Sequence, residues 1–168
     1  VGLGDGMNAP VLALAFDTIT NHLYAGGQFS HAGETAVNNI AKWDGGWHAL
    51  NQGTNQPVEV LAFDRNGNLY VGGTFTTAGE TATNGIAEWS TDQEWRAVGG
   101  GMEQNAGVFA LSGDGNGNIY VGGMFTTANG ILVNNIAKWN KEQWSALGSG
   151  NGLNGDVRAY AWDPAGRA

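Results

Sequence analysis

Hydrophobic residues along this chain come in short runs separated by turns rich in Gly, Asn and Asp, and the runs recur in a constant order. The first run of each set is apolar at almost every position: Val11-Leu12-Ala13-Leu14-Ala15-Phe16, then Val58 to Phe63, Val108 to Gly113 and Val157 to Trp162. Alternate residues of a strand face opposite sides, which places Val11, Ala13 and Ala15 on one face and Leu12, Leu14 and Phe16 on the other. A strand apolar on both faces is expected to be buried on both. The second run ends in a glycine pair, as in Leu69-Tyr70-Val71-Gly72-Gly73, and such a pair permits close backbone approach. A longer loop leads to a third run, Ile86-Ala87-Glu88-Trp89, and a short polar turn to a fourth, Trp95-Arg96-Ala97-Val98. In the fourth run Trp and Ala share a face, while His48, Arg96 and Ser145 occupy the other, as suits an outer edge strand. No segment has a helical period.

The whole set is written three times. Tyr24, Tyr70 and Tyr120 recur at intervals of 46 and 50 residues, and Trp43, Trp89 and Trp139 repeat both intervals. A repeat of that length marks an array of supersecondary units, none able to bury its apolar faces alone. The expected four-stranded units span residues 11–50, 58–98 and 108–147. Between first and second strands lie Asp64-Arg65-Asn66-Gly67-Asn68 and Asp114-Gly115-Asn116-Gly117-Asn118, whose leading Asp and late Gly are hairpin chemistry.

Four strands per repeat, graded from small and apolar to edge-polar, resemble the blade of a kelch-type β-propeller. The features in common are Gly72-Gly73 ending the second strand, Trp89 in the third and Trp95 opening the fourth. Matching sets are Gly26-Gly27, Trp43, Trp47 and Gly122-Gly123, Trp139, Trp144. The third-strand aromatic is Trp where kelch repeats usually carry Tyr. The first strand and the Phe75-Thr76-Thr77-Ala78-Gly79 loop look more like repeats of exported bacterial proteins and fungal cortical cell-polarity markers. The resemblance implies an all-β, β-propeller segment of kelch-like blades: three complete and parts of a fourth, residues 157–168 with 1–2 belonging to the blade before the first. Propellers have about 4 to 8 blades, so the single segment 1–168 is expected to belong to a longer chain, or to complete its ring with further copies of itself.

Composition agrees with a turn-dense, well-buried β protein: 29 Gly, 3 Pro, 7 Trp and 42% apolar residues in 168. A net charge of −8 with only 7 Lys and Arg argues against nucleic acid, and no apolar run approaches a membrane span. Cysteine is absent. The oxidase known on the kelch fold uses a cysteine-linked tyrosine, so that activity is not carried over. No cofactor is assigned.

Candidate chemistry is sparse. The three histidines, His22, His31 and His48, fall in different parts of the first repeat and form no catalytic constellation. The Asp64 and Asp114 turns alternate oxygen side chains as calcium loops do, but lack the distal bidentate carboxylate; they are read as hairpin turns, and no metal site is assigned. The tryptophans are read as core.

The remaining place is a loop face. In a propeller the loops joining second to third strands and those joining successive blades emerge on the same side, and function concentrates on such loops. Their polar members are His31, Glu34, Asn55, Glu80, Glu103, Gln104, Asn105 and Asp156. The expected function is non-catalytic binding or scaffolding within an exported or cell-surface protein, with a protein or glycan ligand taken by the loop face. The alternative is a carbohydrate-binding lectin, for which each repeat should expose a Trp or Tyr beside Asn and Asp. A third reading is an enzyme whose active site lies in repeats outside this sequence.

Overall fold

The computed structural model describes residues 2–148 and 151–159. In the first unit, β1 (Val11–Asp17) and β2 (His22–Gly27) are followed by a two-residue pair, β3 (His31–Ala32) and β4 (Thr35–Ala36). Then come β5 (Ile40–Trp43) and β6 (Trp47–Ala49). The second unit repeats the order with β7 (Val58–Phe63), β8 (Leu69–Gly73), β9 (Thr77–Ala78), β10 (Thr81–Ala82), β11 (Ile86–Trp89) and β12 (Trp95–Ala97). The third has β13 (Gly107–Gly113), β14 (Ile119–Met124), β15 (Thr127–Ala128), β16 (Ile131–Leu132), β17 (Ile136–Trp139) and β18 (Trp144–Ala146). Each unit is a four-stranded antiparallel sheet in chain order, β1-β2-β5-β6, β7-β8-β11-β12 and β13-β14-β17-β18. No helix occurs among the described residues. The architecture is therefore all-β with three blade-like units. Of the expected fourth first strand, Val157 to Trp162, residues from Tyr160 onward lie outside the described residues, as do Val1 and the turn 163–168.

Sheets stack through their first two strands, with β7 packed against both β1 and β13. The apolar core lies between sheets. One cluster joins Tyr24, Ile40 and Leu50 of the first unit to Val58, Leu61 and Leu69 of the second. Another joins Tyr70, Ile86 and Val98 of the second to Val108, Leu111 and Ile119 of the third. The glycine pairs make this stacking possible. A Cβ on Gly26, Gly72 or Gly122 would collide with Val58, Val108 or Val157 of the next unit. A Cβ on Gly73 would strike the carbonyl oxygen of Pro57.

Strict alternation along the first strand is broken. The β1–β2 register shifts between Val11 and Ala13, the β7–β8 register between Val58 and Val60, and the β13–β14 register between Val108 and Ala110. Each shift is a β-bulge, which inserts one unpaired residue and reverses the facing of what precedes it. The expected grouping of Val11 with Ala13 and Ala15 is corrected accordingly. In the second unit Val58 faces the first sheet with Leu61, while Val60 and Ala62 pack toward the third. Burial on both faces holds for β7 but not for β1, where Leu14 is 63% and Phe16 54% exposed.

The tryptophans tie units together. Trp89 and Trp95 meet edge to face at 5.0 Å between ring centroids, and both are buried. The Trp95 indole N–H donates to the Leu50 carbonyl of the preceding unit (3.0 Å), and Trp144 donates likewise to Gly99 (3.1 Å). Trp47 donates to Leu3 (2.8 Å), but it and Trp43 are only half-buried.

Candidate functional site

The loop between second and third strands folds back as a hairpin of two two-residue strands in every unit, where the hydrophobic pattern predicts only a loop. Gly33 and Gly79, with φ of 56° each, precede Glu34 and Glu80, as in a type II′ turn. Asn129 and Gly130 both have positive φ, the type I′ pattern. Glu34 and Glu80 thus stand exposed at hairpin tips. The segment leading into each unit lies against that unit's small hairpin through single bridges, Met7 to Ala32, Thr54 to Ala78 and Met102 to Ala128. Those inter-unit segments and hairpins form one continuous loop surface.

A single polar side chain in each segment fastens it to its hairpin. Asn55 Oδ1 accepts from the amides of Thr76 (3.0 Å) and Thr77 (3.1 Å), and its Nδ2 donates to Thr76 Oγ1 (2.9 Å). Asn8 does the same for Ser30 and His31. In the third unit the position is Glu103, whose carboxylate accepts from both amides and both hydroxyls of Thr126 and Thr127 (2.5 to 3.0 Å). Burial works to raise the Glu103 pKa. The donors that Glu103 accepts from, led by the Thr126 and Thr127 amides, together hold the carboxyl below the ordinary glutamate range.

The other sequence-predicted residues take varied places. His31 is exposed in β3, its Nδ1 3.3 Å from Ser30 Oγ. Glu80 accepts from Gln52 Nε2 at 3.4 Å. Gln104 and Asn105 are exposed beside Glu103, and Asn105 has the left-handed φ of 65° that turns the chain toward β13. Asp156 is exposed and pairs with Arg158 at 3.4 Å. Seven of the eight residues are spread over the three units, and Asp156 lies in the segment after the third. Among the described residues no three His, Cys, Asp or Glu side chains stand close enough to hold a metal ion.

At the opposite end of the strands the Asp-led turns are internally bonded. Asp64 Oδ1 accepts from the amides of Asn66 (2.8 Å) and Asn68 (3.0 Å), and Oδ2 from Asn68 Nδ2 (3.1 Å). Asp114 repeats the pattern. Burial opposes ionisation of Asp64, but Lys141 and the turn's own donors prevail and lower its pKa. This end also holds a cleft between the first and second sheets, lined by Asp17, His22, Tyr24, Lys42, Trp89 and Thr91 among others. Burial beside Asp17 and Asp44 pushes the Tyr24 phenol up to about 12. No single hydrophobic run predicts this cleft, because these residues come from four separate runs. The one signal available was Thr91 standing where the third unit has Lys141.

No family model matches the chain, and no curated protein matches it.

Proposed function

We propose that this chain is a segment of a kelch-like β-propeller and that it serves as a non-catalytic binding or scaffolding module of an exported or cell-surface protein. The observation that carries the reading is the like stacking of successive sheets: the first-strand valines Val58 and Val108 are each seated on a glycine of the sheet before, and Val157 sits likewise on Gly122. Val11, their counterpart, is 42% exposed. Its natural cover is a further repeat, or another copy of this chain, presenting the same glycine pair. The ligand, a protein or a glycan, is taken by the loop surface, where the Asn8, Asn55 and Glu103 fastenings hold rigid hairpins and leave Glu34, Glu80, Gln104 and Asn105 facing solvent. Preorganised loops bind with little ordering cost.

A lectin built on the tryptophans is less well supported. In the second and third units they are buried and their indole N–H groups are used between sheets.

Two measurements test the proposal. Electron microscopy of the purified protein should reveal rings of blades, in assemblies of this chain or in its longer parent. Binding to arrayed glycans and cell-surface proteins should fall in a Glu34→Ala/Glu80→Ala/Gln104→Ala variant that melts like the wild type. A ligand bound equally well by that variant would remove the loop surface from consideration.

A further inference from the structure

The two gaps between adjacent sheets are built alike at their Asp-turn ends, yet among the described residues only one sets an ammonium against its carboxylate. In the gap between second and third sheets, Lys141 of the β17–β18 turn reaches back over Gly117. Its Cε passes 3.9 Å from where a Cβ on that glycine would sit. Its Nζ then stands 2.8 Å from Asp64 Oδ2, whose side chain is 1% exposed. Asp64 therefore accepts three donors from its own turn and a fourth, the ammonium, from the neighbouring unit.

The first gap has the same parts except the ammonium. Asp17 stands where Asp64 does and is buried. It too accepts three donors from its own turn: the Ile19 amide (2.8 Å) and Thr20 amide (3.4 Å) on Oδ1, and the Thr20 hydroxyl (2.5 Å) on Oδ2. An ionised carboxylate has about four acceptor sites. Among the described residues no Lys or Arg lies within ion-pair distance of Asp17. Thr91 takes the place of Lys141 and crosses Gly67 as Lys141 crosses Gly117, its Cγ2 3.6 Å from the Cβ position there. Threonine ends at that point, with Ile19 Cδ1 beside it 3.4 Å from the same Cβ position, and the cleft lined by Asp17, Tyr24 and Trp89 adjoins them.

We propose that this cleft binds a primary alkylammonium group, seated where the Lys141 ammonium sits in the next gap. Asp17 is the counter-ion. The Tyr24 and Trp89 rings line the path, surfaces suited both to a cation and to its methylene stem. Lys42 does not oppose the ligand's charge, because Asp44 holds it at 2.7 Å. Two sources present this chemistry: a lysine side chain of a partner protein, or a free aliphatic amine. The inference is independent of the loop-surface reading, since the cleft lies at the other end of the strands.

The test is an NMR titration of the whole chain at pH 8. The probes are n-butylammonium and Nα-acetyl-lysine amide, with Nα,Nε-diacetyl-lysine amide as uncharged control. Both cationic probes should move the Trp89 and Thr91 signals saturably, and the control should not. Binding by the lysine amide as well as butylammonium identifies a partner's side chain as a ligand, and binding by butylammonium alone identifies a free amine. Asp17→Asn should weaken binding by about tenfold or more, the usual effect of losing a charge-assisted hydrogen bond. Thr91→Lys should fill the cleft from within, abolish binding and melt no lower than the wild type, which keeps the test decisive even if Asp17→Asn folds poorly. Absence of saturable shifts, or undiminished binding by Thr91→Lys, would overturn the proposal.

Discussion

Leu14 and Leu61 occupy the same position of the same strand in successive units, and the one is 63% exposed while the other is 9% exposed. The same contrast runs through the surrounding residues. Val11 is 42% exposed and Val58 is fully buried; Trp43 and Trp47 are half-buried, and Trp89 and Trp95 are buried. Local sequence is nearly the same in both units, so the difference comes from what stands beside each sheet. The second unit has a sheet on either side. The first has described neighbours on one side only. In a stacked array a residue's energetic worth depends on its neighbouring repeat as much as on its own.

The tryptophan pairs offer the largest effect by which to break this comparison. Trp89→Ala should cost about 3 to 5 kcal/mol, as removal of a packed aromatic does, and Trp43→Ala distinctly less. Urea melts of the two variants decide it, and equal losses would mean that the first unit is packed as tightly as the second. Next come the first strands. Leu61→Ala should destabilise by about 2 to 5 kcal/mol, whereas Leu14→Ala on an open face should stay within about 0.5 kcal/mol. A cost for Leu14→Ala that grows with protein concentration would sharpen the picture, because it would mean that another copy covers this face in solution.

A smaller effect separates the two gaps. Lys141→Met removes the ammonium from Asp64 and should lower stability by about 1 kcal/mol. That is at the low end for a charged hydrogen bond, since the lysine is partly solvated and the turn's own donors remain. Thr91→Met, its counterpart, should be close to neutral in the same thermal melts. If the Lys141 change is also neutral, the ion pair contributes nothing and the gaps are equivalent.

The smallest effect is one of pH. Glu103 fastens the third hairpin and Asn55 the second, and only the glutamate titrates. Because the folded-state pKa of Glu103 lies below its ordinary value, its contribution is fully present above that ordinary value. It is lost as pH falls through the folded value. Hydrogen exchange at the Thr126 and Thr127 amides should therefore lose protection in acid before that at Thr76 and Thr77. Glu103→Gln should abolish the difference. Parallel loss at both hairpins would show that the fastenings do not act independently.

Much of the architecture was legible in the runs themselves. Four strands per repeat, their order, the edge position of the fourth and the turn chemistry at Asp64 and Asp114 all follow from local rules. Period-two patterning, Gly and Asn where φ must be positive, and a polar outer face act over a few residues, so the chain states them directly. The small hairpins were legible in hindsight, since Gly79-Glu80 and Asn129-Gly130 are two-residue turn sequences. They were obscured because the flanking strands are only two residues long, too short to carry a periodic signal.

The tertiary structure alone decided how those parts face each other. The bulge at Val58 turns that residue onto Gly26 of the sheet before, and no local pattern marks it, because valine suits either face of a doubly buried strand. The Asn8, Asn55 and Glu103 fastenings join residues more than 20 positions apart, and their common role is hidden by the change from amide to carboxylate. Asp17 lacks the lysine that Asp64 has because Thr91 stands in the place of Lys141, a difference with meaning only once Gly67 and Gly117 are known to lie beneath them. By itself the sequence determined which strands form and in what order, since backbone propensity and side-chain alternation are short-range. Which surfaces are covered and which carboxylate has its cation were decided by packing between units, where contacts depend on positions that only the folded chain brings together.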